Sequence, residues 1–301
     1  MSDFPIIRRT DRVLVQGMTG GQGTFWTEKM IECGTNVLGG VNPKRAGSTH
    51  LGLPIFGSVA EAVKSEQVDV TLMFIPPTLA KDAALDAITA GVRGIVILTE
   101  HIPSHDVLEF FAAAAKHSTK IVGPNTAGLV TPGAGFVGIM PGHNSNIFKP
   151  GRTGVISRSG SLGTLICLNL TRAGFGQSSF IGIGGDPMIG TTTKDALVAL
   201  DHDENTDAVV MVGEIGGGME EEAARYAATM KKPIVAFIAG RAAPPGKRMG
   251  HAGAITAGDA GSYAGKRKAL EDAGVIVVDT PRDIATALAH ATKRKSAYNT
   301  A

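Results

Sequence analysis

Val13-Leu14-Val15-Gln16-Gly17-Met18-Thr19-Gly20-Gly21-Gln22-Gly23-Thr24 joins a short apolar run to a glycine loop, and a helical pattern over 23–33 follows. Glycines at 17, 20 and 23 space a G-x-x-G-x-x-G turn, a variant of the dinucleotide fingerprint. The physics is that of any strand–glycine–helix site. Free amides at the helix start, and the positive end of its dipole, face an anion such as a pyrophosphate. The stretch therefore predicts a parallel α/β sheet with a phosphate site at the end of its first strand.

What binds is decided at the end of the second strand, Asn36-Val37-Leu38. A site for NAD wants a carboxylate there to hold the ribose hydroxyls. The segment Gly40-Val41-Asn42-Pro43-Lys44-Arg45-Ala46-Gly47 offers none, but carries two cations. Lys44 and Arg45 suit a ribose bearing a phosphate, which means NADP or coenzyme A, and NAD is disfavoured.

Outward from this unit the same alternation continues. Val70–Ile75, Ile95–Leu98 and Ile121-Val122 read as buried strands, with helices over 78–90 and 104–117. Continuous apolar strands alternating with helices argue a parallel, doubly wound sheet. Over roughly 124–152 the pattern lapses into Pro, Gly and polar residues, which predicts a boundary. The expected division is a first domain over 1–130, a linker over 131–152 and a second domain over 153–301. Strands at Gly154–Ile156, Phe180–Ile183, Ala208–Val212, Ile234–Ile238 and Val275–Val278 predict that the second domain is a five-stranded α/β sandwich.

Composition limits the function classes. A net charge of +2 across 301 residues lacks the cationic footprint that nucleic-acid binding needs, and 5% aromatic residues leave no stacking platform. No run has the apolar length to cross a bilayer. Cys33 and Cys167 have no partners at metal-ligand spacing, so no metal site is expected. They read as reduced thiols of a cytoplasmic protein. The 40 glycines cluster at the ends of the apolar runs, as they do where loops bring backbone close to ligands.

Three such loops end strands of the second domain: Ser157 to Gly163, Gly182 to Pro187, and Gly213 to Gly218. The first opens a helix, and Ser159, Gly160, Ser161 and Thr164 could present amides and hydroxyls to a phosphate. The third carries Glu214 among glycines. Further on, after a strand and a basic loop, His251 stands alone in Met249-Gly250-His251-Ala252-Gly253. In an open α/β sheet these strand ends share one crevice, so Glu214 and His251 are expected to meet there. A carboxylate on one ring nitrogen fixes the tautomer and leaves the other as a nucleophile. Metal binding is the rival for His251, and the absence of a second histidine at ligand spacing disfavours zinc. His143, in Pro141-Gly142-His143, is the one other histidine in a loop that invites a test.

Taken together, Thr19–Gly23, Thr99-Glu100, Gly123-Pro124-Asn125, Pro141–His143, Ser157–Gly160, Gly182–Pro187, Gly213–Gly217 and Gly250–Gly253 resemble the α subunits of the succinyl-CoA synthetase family. These are the NDP-forming acid–CoA ligases, malate–CoA ligase among them, and the resemblance covers roughly residues 8 to 292. It implies a Rossmann-like CoA-binding domain followed by a flavodoxin-like, doubly wound ligase domain. His251 would be the phosphoryl carrier and Glu214 its partner. Thr19, Gly20, Gly21 and Gln22, with Lys44 and Arg45, would cradle coenzyme A, and Leu98, Thr99 and Glu100 would lie near its other end. An ATP-grasp β subunit, in an αβ or α2β2 assembly, would hold the nucleoside triphosphate and Mg2+.

The chain departs from the family at three places. Lys44-Arg45 stand where a lysine among glycines is usual, and Asn125-Thr126-Ala127-Gly128 replaces Asn-Cys-Pro-Gly. Thr164-Leu165 replaces Tyr-Glu, which would enlarge the acid pocket and remove a charge. Succinate is the first expectation for the acid, with malate or another dicarboxylate second. Two readings from other classes are a CoA-binding paralogue without turnover and an NADP-dependent reductase. The first has no use for Glu214 and His251, and the second lacks a hydride-transfer constellation. Gly160→Ala is expected to harm phosphate binding more than folding.

Overall fold

Strands with no polar alternation need cover on both faces, and the chain supplies it twice. The computed structural model describes residues 4–244, 249–255 and 261–293. The basic stretch before Met249 and the chain beyond Lys293 lie outside these residues. The first half runs β1 (Arg12–Gln16), α1 (Gly21–Glu32), β2 (Asn36–Val41), β3 (Thr49–His50), β4 (Leu53–Phe56), α2 (Val59–Ser65), β5 (Val70–Met73), α3 (Ala80–Thr89), β6 (Gly94–Ile97), α4 (Ser104–His117) and β7 (Lys120–Val122). Its sheet has the order β3-β4-β2-β1-β5-β6-β7. Without the antiparallel edge strand β3, this is the 3-2-1-4-5-6 order of a Rossmann fold. The glycine loop after β1 therefore lies where the strand order reverses.

The second half runs β8 (Gly128–Thr131), β9 (Gly135–Gly138), β10 (Pro150–Ser157), α5 (Gly160–Arg172), β11 (Gln177–Gly182), α6 (Thr193–His202), β12 (Ala208–Glu214), α7 (Met219–Ala227), β13 (Ile234–Ala239), α8 (Tyr263–Asp272), β14 (Ile276–Val278) and α9 (Ile284–Ala291). Its order, β14-β13-β12-β10-β11-β8-β9, contains the flavodoxin-like 2-1-3-4-5 arrangement in its parallel strands. Helix α5 packs with α9, while α6, α7 and α8 pack in series. The switch between these two sets of helices falls between β10 and β12, which end at Ser157 and Glu214.

Two expectations need correction. Among the described residues the second sheet has seven strands rather than five, and the stretch expected as a linker over 131–152 contains β9 and the start of β10. The Pro and Gly that suggested a linker form a hairpin turn. Ala134 N donates to Thr131 O at 2.9 Å across Pro132-Gly133, and Gly133 has φ +88°. That is the type II pattern of proline followed by a left-handed glycine. The hairpin then adds to β11 in antiparallel register, Phe180 opposite Val130.

The two sheets are joined through apolar and polar contacts. Val13, Val15 and Met18 belong to the same buried cluster as Phe136, Val155 and Phe180. Thr35 Oγ1 donates to Phe136 O at 2.8 Å and accepts from Phe136 N at 3.0 Å. Among the described residues no helix is long and apolar enough to cross a membrane.

Candidate active site

In the first domain, helix α1 starts at Gly21 behind an N-cap, Gly20, that makes no side-chain cap. Its first turn holds no acidic residue, so its amides and dipole are free to meet an anion. Gly17 and Gly23 permit the tight turn: a Cβ on Gly17 would clash with Phe74 O, and one on Gly23 with Gly17 O. Asn42 Nδ2 donates to Thr19 Oγ1 at 2.6 Å, which ties the loop to the 3-10 turn carrying Lys44 and Arg45. Both cations are exposed. An open cradle of amides beside two exposed cations fits a phosphate-rich ligand such as coenzyme A. Gln22 Oε1 accepts from Trp26 Nε1 at 3.2 Å. Across the sheet, Thr99 Oγ1 donates to Ile75 O at 2.6 Å, Leu98 is half-buried, and Glu100 is exposed beside His101.

In the second domain Glu214 and His251 do meet. His251 Nδ1 lies 2.8 Å from Glu214 Oε2, with the imidazole about one-third exposed and the carboxylate one-tenth. Glu214 is the last residue of a strand buried along its whole length. Its backbone N–H donates to Glu220 Oε1 at 3.3 Å. Lys266, fully buried, bonds Glu220, and reaches Glu221 Oε2 at 3.0 Å and Gly217 O at 2.9 Å. One buried ammonium thus holds the loop that follows Glu214.

The His251 loop is held from below. Gly253 N donates to Gly185 O at 3.2 Å, and Gly185 N donates to Asn125 O at 3.2 Å. Asn125 N in turn donates to Thr99 O at 2.9 Å. A continuous run of backbone bonds therefore links the strand end bearing Thr99 to the histidine loop. Asn125 Nδ2 also donates to Asp186 Oδ1 at 2.9 Å.

The hydrogen bond to Glu214 raises the pKa of His251 above the ordinary histidine value, burial opposes it, and the Glu214 charge adds to the rise. Asp186 works in the same direction and Arg158 against it. With Nδ1 engaged by the carboxylate, Nε2 is the nitrogen left for chemistry when the ring is neutral.

Helix α5 begins two residues after Arg158, whose Nε lies 3.3 Å from Glu214 Oε1. Ser159 is its N-cap, accepting from Leu162 N at 3.3 Å, and its first turn has no acidic residue. Ser161 is exposed, with its hydroxyl 3.4 Å from that of Ser159. Gly160 does not stand in open space, since a Cβ there would lie 2.6 Å from Cβ of Ala127. Gly160→Ala should therefore disturb packing as well as anion binding, and the expected selectivity for phosphate does not hold. Thr164 and Leu165 turn to different surroundings. Thr164 Oγ1 donates to Gly160 O at 2.9 Å and lies 3.8 Å from Met140 Sδ. Leu165 is exposed and lines a cavity of about 950 Å³ with Asn169 and residues 280–283. His143 packs between aromatic rings, 6.4 Å from Trp26 and 6.2 Å from Phe136.

Sequence reasoning gave no role to Arg158, Asp186, Glu220 or Lys266. Arg158 directly follows the apolar strand β10, and a charge in that place is its local signal, whereas Asp186 lies four residues beyond the end of β11. Lys266 lies 46 residues from Glu220, and nothing local marks the pair.

A CoA binding domain matches residues 8–101 and a CoA-ligase domain matches residues 156–276. Fold and site together define a two-domain subunit of the CoA-ligase class. The chain is 49% identical to the α subunit of an ADP-forming succinate–CoA ligase of Methanothermobacter thermautotrophicus, over 91% of this chain and 92% of that one. It is 42% identical to an ADP-forming sulfoacetate–CoA ligase subunit of an Acholeplasma species, over 92% of this chain and 95% of that one. The chain belongs to the family of ADP-forming succinate–CoA ligase α subunits. Its fold is shared with ATP citrate lyase from Methanothrix soehngenii, solved with citrate and coenzyme A. That likeness has a TM-score of 0.86 at 22% identity and covers 96% of this chain but 52% of the other.

Proposed function

We propose that this chain is the α subunit of a succinate–CoA ligase that works with an ATP-grasp β subunit, as αβ or α2β2, in the cytoplasm. The overall reaction is succinate + CoA + NTP ⇌ succinyl-CoA + NDP + phosphate. The β subunit supplies the nucleoside triphosphate and Mg2+. The observation that carries the reading is the 2.8 Å contact of His251 Nδ1 with Glu214, which leaves Nε2 as the nucleophile. Nε2 takes the γ-phosphoryl group and NDP leaves. The succinate carboxylate then takes the phosphoryl group from His251 as an acyl phosphate. Attack by the CoA thiolate on that acyl carbon releases inorganic phosphate. The open first turn of α5, with Ser159, Gly160 and Ser161, stabilises phosphoryl oxygens beside the histidine. Thr19 to Gln22, with Lys44 and Arg45, holds the phosphates of coenzyme A, and Leu98, Thr99 and Glu100 line the route toward its thiol.

A second acid is favoured by one observation: Thr164, beside Met140, stands where the family usually has a tyrosine. The room this leaves supports malate or another dicarboxylate as the alternative substrate. CoA-dependent NDP release by the reconstituted αβ complex, across succinate, malate, longer dicarboxylates and sulfoacetate, tests the reading. Fastest turnover with succinate supports it. Turnover confined to another acid reassigns the substrate, and no CoA-dependent release with any acid overturns the ligase reading.

A further inference from the structure

Arg158 follows β10 directly, and its side chain is 2% exposed, as buried as the apolar strand before it. Its Nε lies 3.3 Å from Glu214 Oε1, on the carboxylate oxygen that His251 does not use. Yet none of its three guanidinium nitrogens makes a hydrogen bond among the described residues, and neither does that oxygen. The contact is a charge contact. A buried cation without hydrogen bonds is costly, because burial strips away its water and the protein replaces it incompletely. The fold nonetheless makes room for it. Gly253, two residues after the histidine, lies over the guanidinium so closely that a Cβ would sit 2.5 Å from Nη2. The histidine loop, Glu214 and Arg158 thus form one stack at the switch between β10 and β12.

A partner carboxylate presents a phosphoryl-accepting histidine with a conflict. It fixes the tautomer that the nucleophile needs, but it also favours the imidazolium, which has no free electron pair. We propose that Arg158 is a positioning residue that resolves this conflict, its charge offsetting part of Glu214 so that the hydrogen-bonded imidazole stays neutral and nucleophilic. The proposal rests on the phosphohistidine reading above. Among the described residues, the charged groups acting on the ring are Glu214 at the end of β12, Asp186 in the loop after β11 and Arg158 directly after β10. The first two favour the charged ring, and among the described residues Arg158 is the cation that opposes them.

The test uses the full chain with its β partner and γ-labelled NTP, and compares Arg158→Met and Arg158→Lys with the parent. Single-turnover phosphorylation of His251 is followed at pH 6.5 and 8.5. Arg158→Met should be slowed about tenfold at the lower pH and less than about threefold at the higher, since protonation of the ring then limits the rate. Arg158→Lys, which keeps the charge, should stay within about threefold at both. Arg158→Gln replaces the methionine variant if that chain does not fold. Titration of the His251 ring nitrogens by NMR in the full α chain gives a readout that needs no turnover. The ring of the charge-removed variant should titrate at higher pH than the parent. A loss equal at both pH values, an equal loss in Arg158→Lys, or an unmoved ring titration overturns the proposal. If the parent takes no phosphate, the phosphohistidine reading fails, while the ring titration still decides the role of Arg158.

Discussion

Gly185 offers a direct test of how His251 is held. A Cβ at this position would lie 2.5 Å from Cγ of His251, 2.7 Å from Cδ2 and 2.8 Å from Nδ1. Carbon atoms pack at about 3.5–4.0 Å, so in Gly185→Ala the ring must retreat by about 1 Å. A displacement of that size disturbs the length or the angle of the 2.8 Å contact between Nδ1 and Glu214, and a hydrogen bond weakens steeply with either. Hydrogen bonds to charged groups are worth about 1.5–3 kcal/mol, and that predicts phosphorylation slowed about 10- to 150-fold. The backbone is unaffected in principle, since the amide and carbonyl that bond Asn125 and Gly253 remain. The assay is rapid-quench measurement of phosphate on the α chain with β subunit and labelled NTP, alongside a thermal melt. A folded Gly185→Ala chain that accepts phosphate within threefold of the parent would show that the Glu214 contact does not set the rate.

Other consequences follow from the same geometry. Lys266→Met leaves Glu220 buried without its cation and should cost about 3–5 kcal/mol in urea unfolding, with Lys266→Met/Glu220→Gln recovering part of the loss. Because Glu214 raises the pKa of His251, the pair stabilises the fold most below the ordinary histidine value of 6.5, and that contribution is lost as pH rises through the raised folded-state value. Phosphorylation runs the other way and climbs across the same window as the ring becomes neutral. In Glu214→Gln the stability slope should flatten and the acid limb of the rate should move to lower pH, on a slower plateau. Lys44→Ala and Arg45→Ala should each raise the KM for CoA about tenfold, while the rate of His251 phosphorylation by NTP stays as in the parent. Equal effects on both would remove the cations from the CoA site.

Much of this architecture is legible in the sequence because buried parallel strands are written as unbroken apolar runs. Val13–Val15 and Val209–Val212 need no partner to be recognised, and the glycines after them mark where the chain turns toward a ligand. The hairpin β8–β9 was hidden for the opposite reason. Its strands are four residues each, begin or end in glycine, and enclose a Pro-Gly turn that reads as a linker until its partner strand is known. The pairing of Glu214 with His251 followed from a general rule about strand ends. What holds them did not, because Lys266, Glu220, Arg158 and Gly185 act through contacts between distant segments. A charge beside an apolar strand, as at Arg158, is the local sign that such a contact exists.

In the proposed reaction His251 carries the phosphoryl group. Incubating the αβ complex with γ-labelled NTP and Mg2+, then mapping the label by mass spectrometry, tests it most directly. The expected result is one acid-labile, base-stable phosphate on His251, discharged when succinate and CoA are added together and absent in His251→Asn. Label on another residue, or label on His251 that acid and CoA fail to discharge, would contradict it.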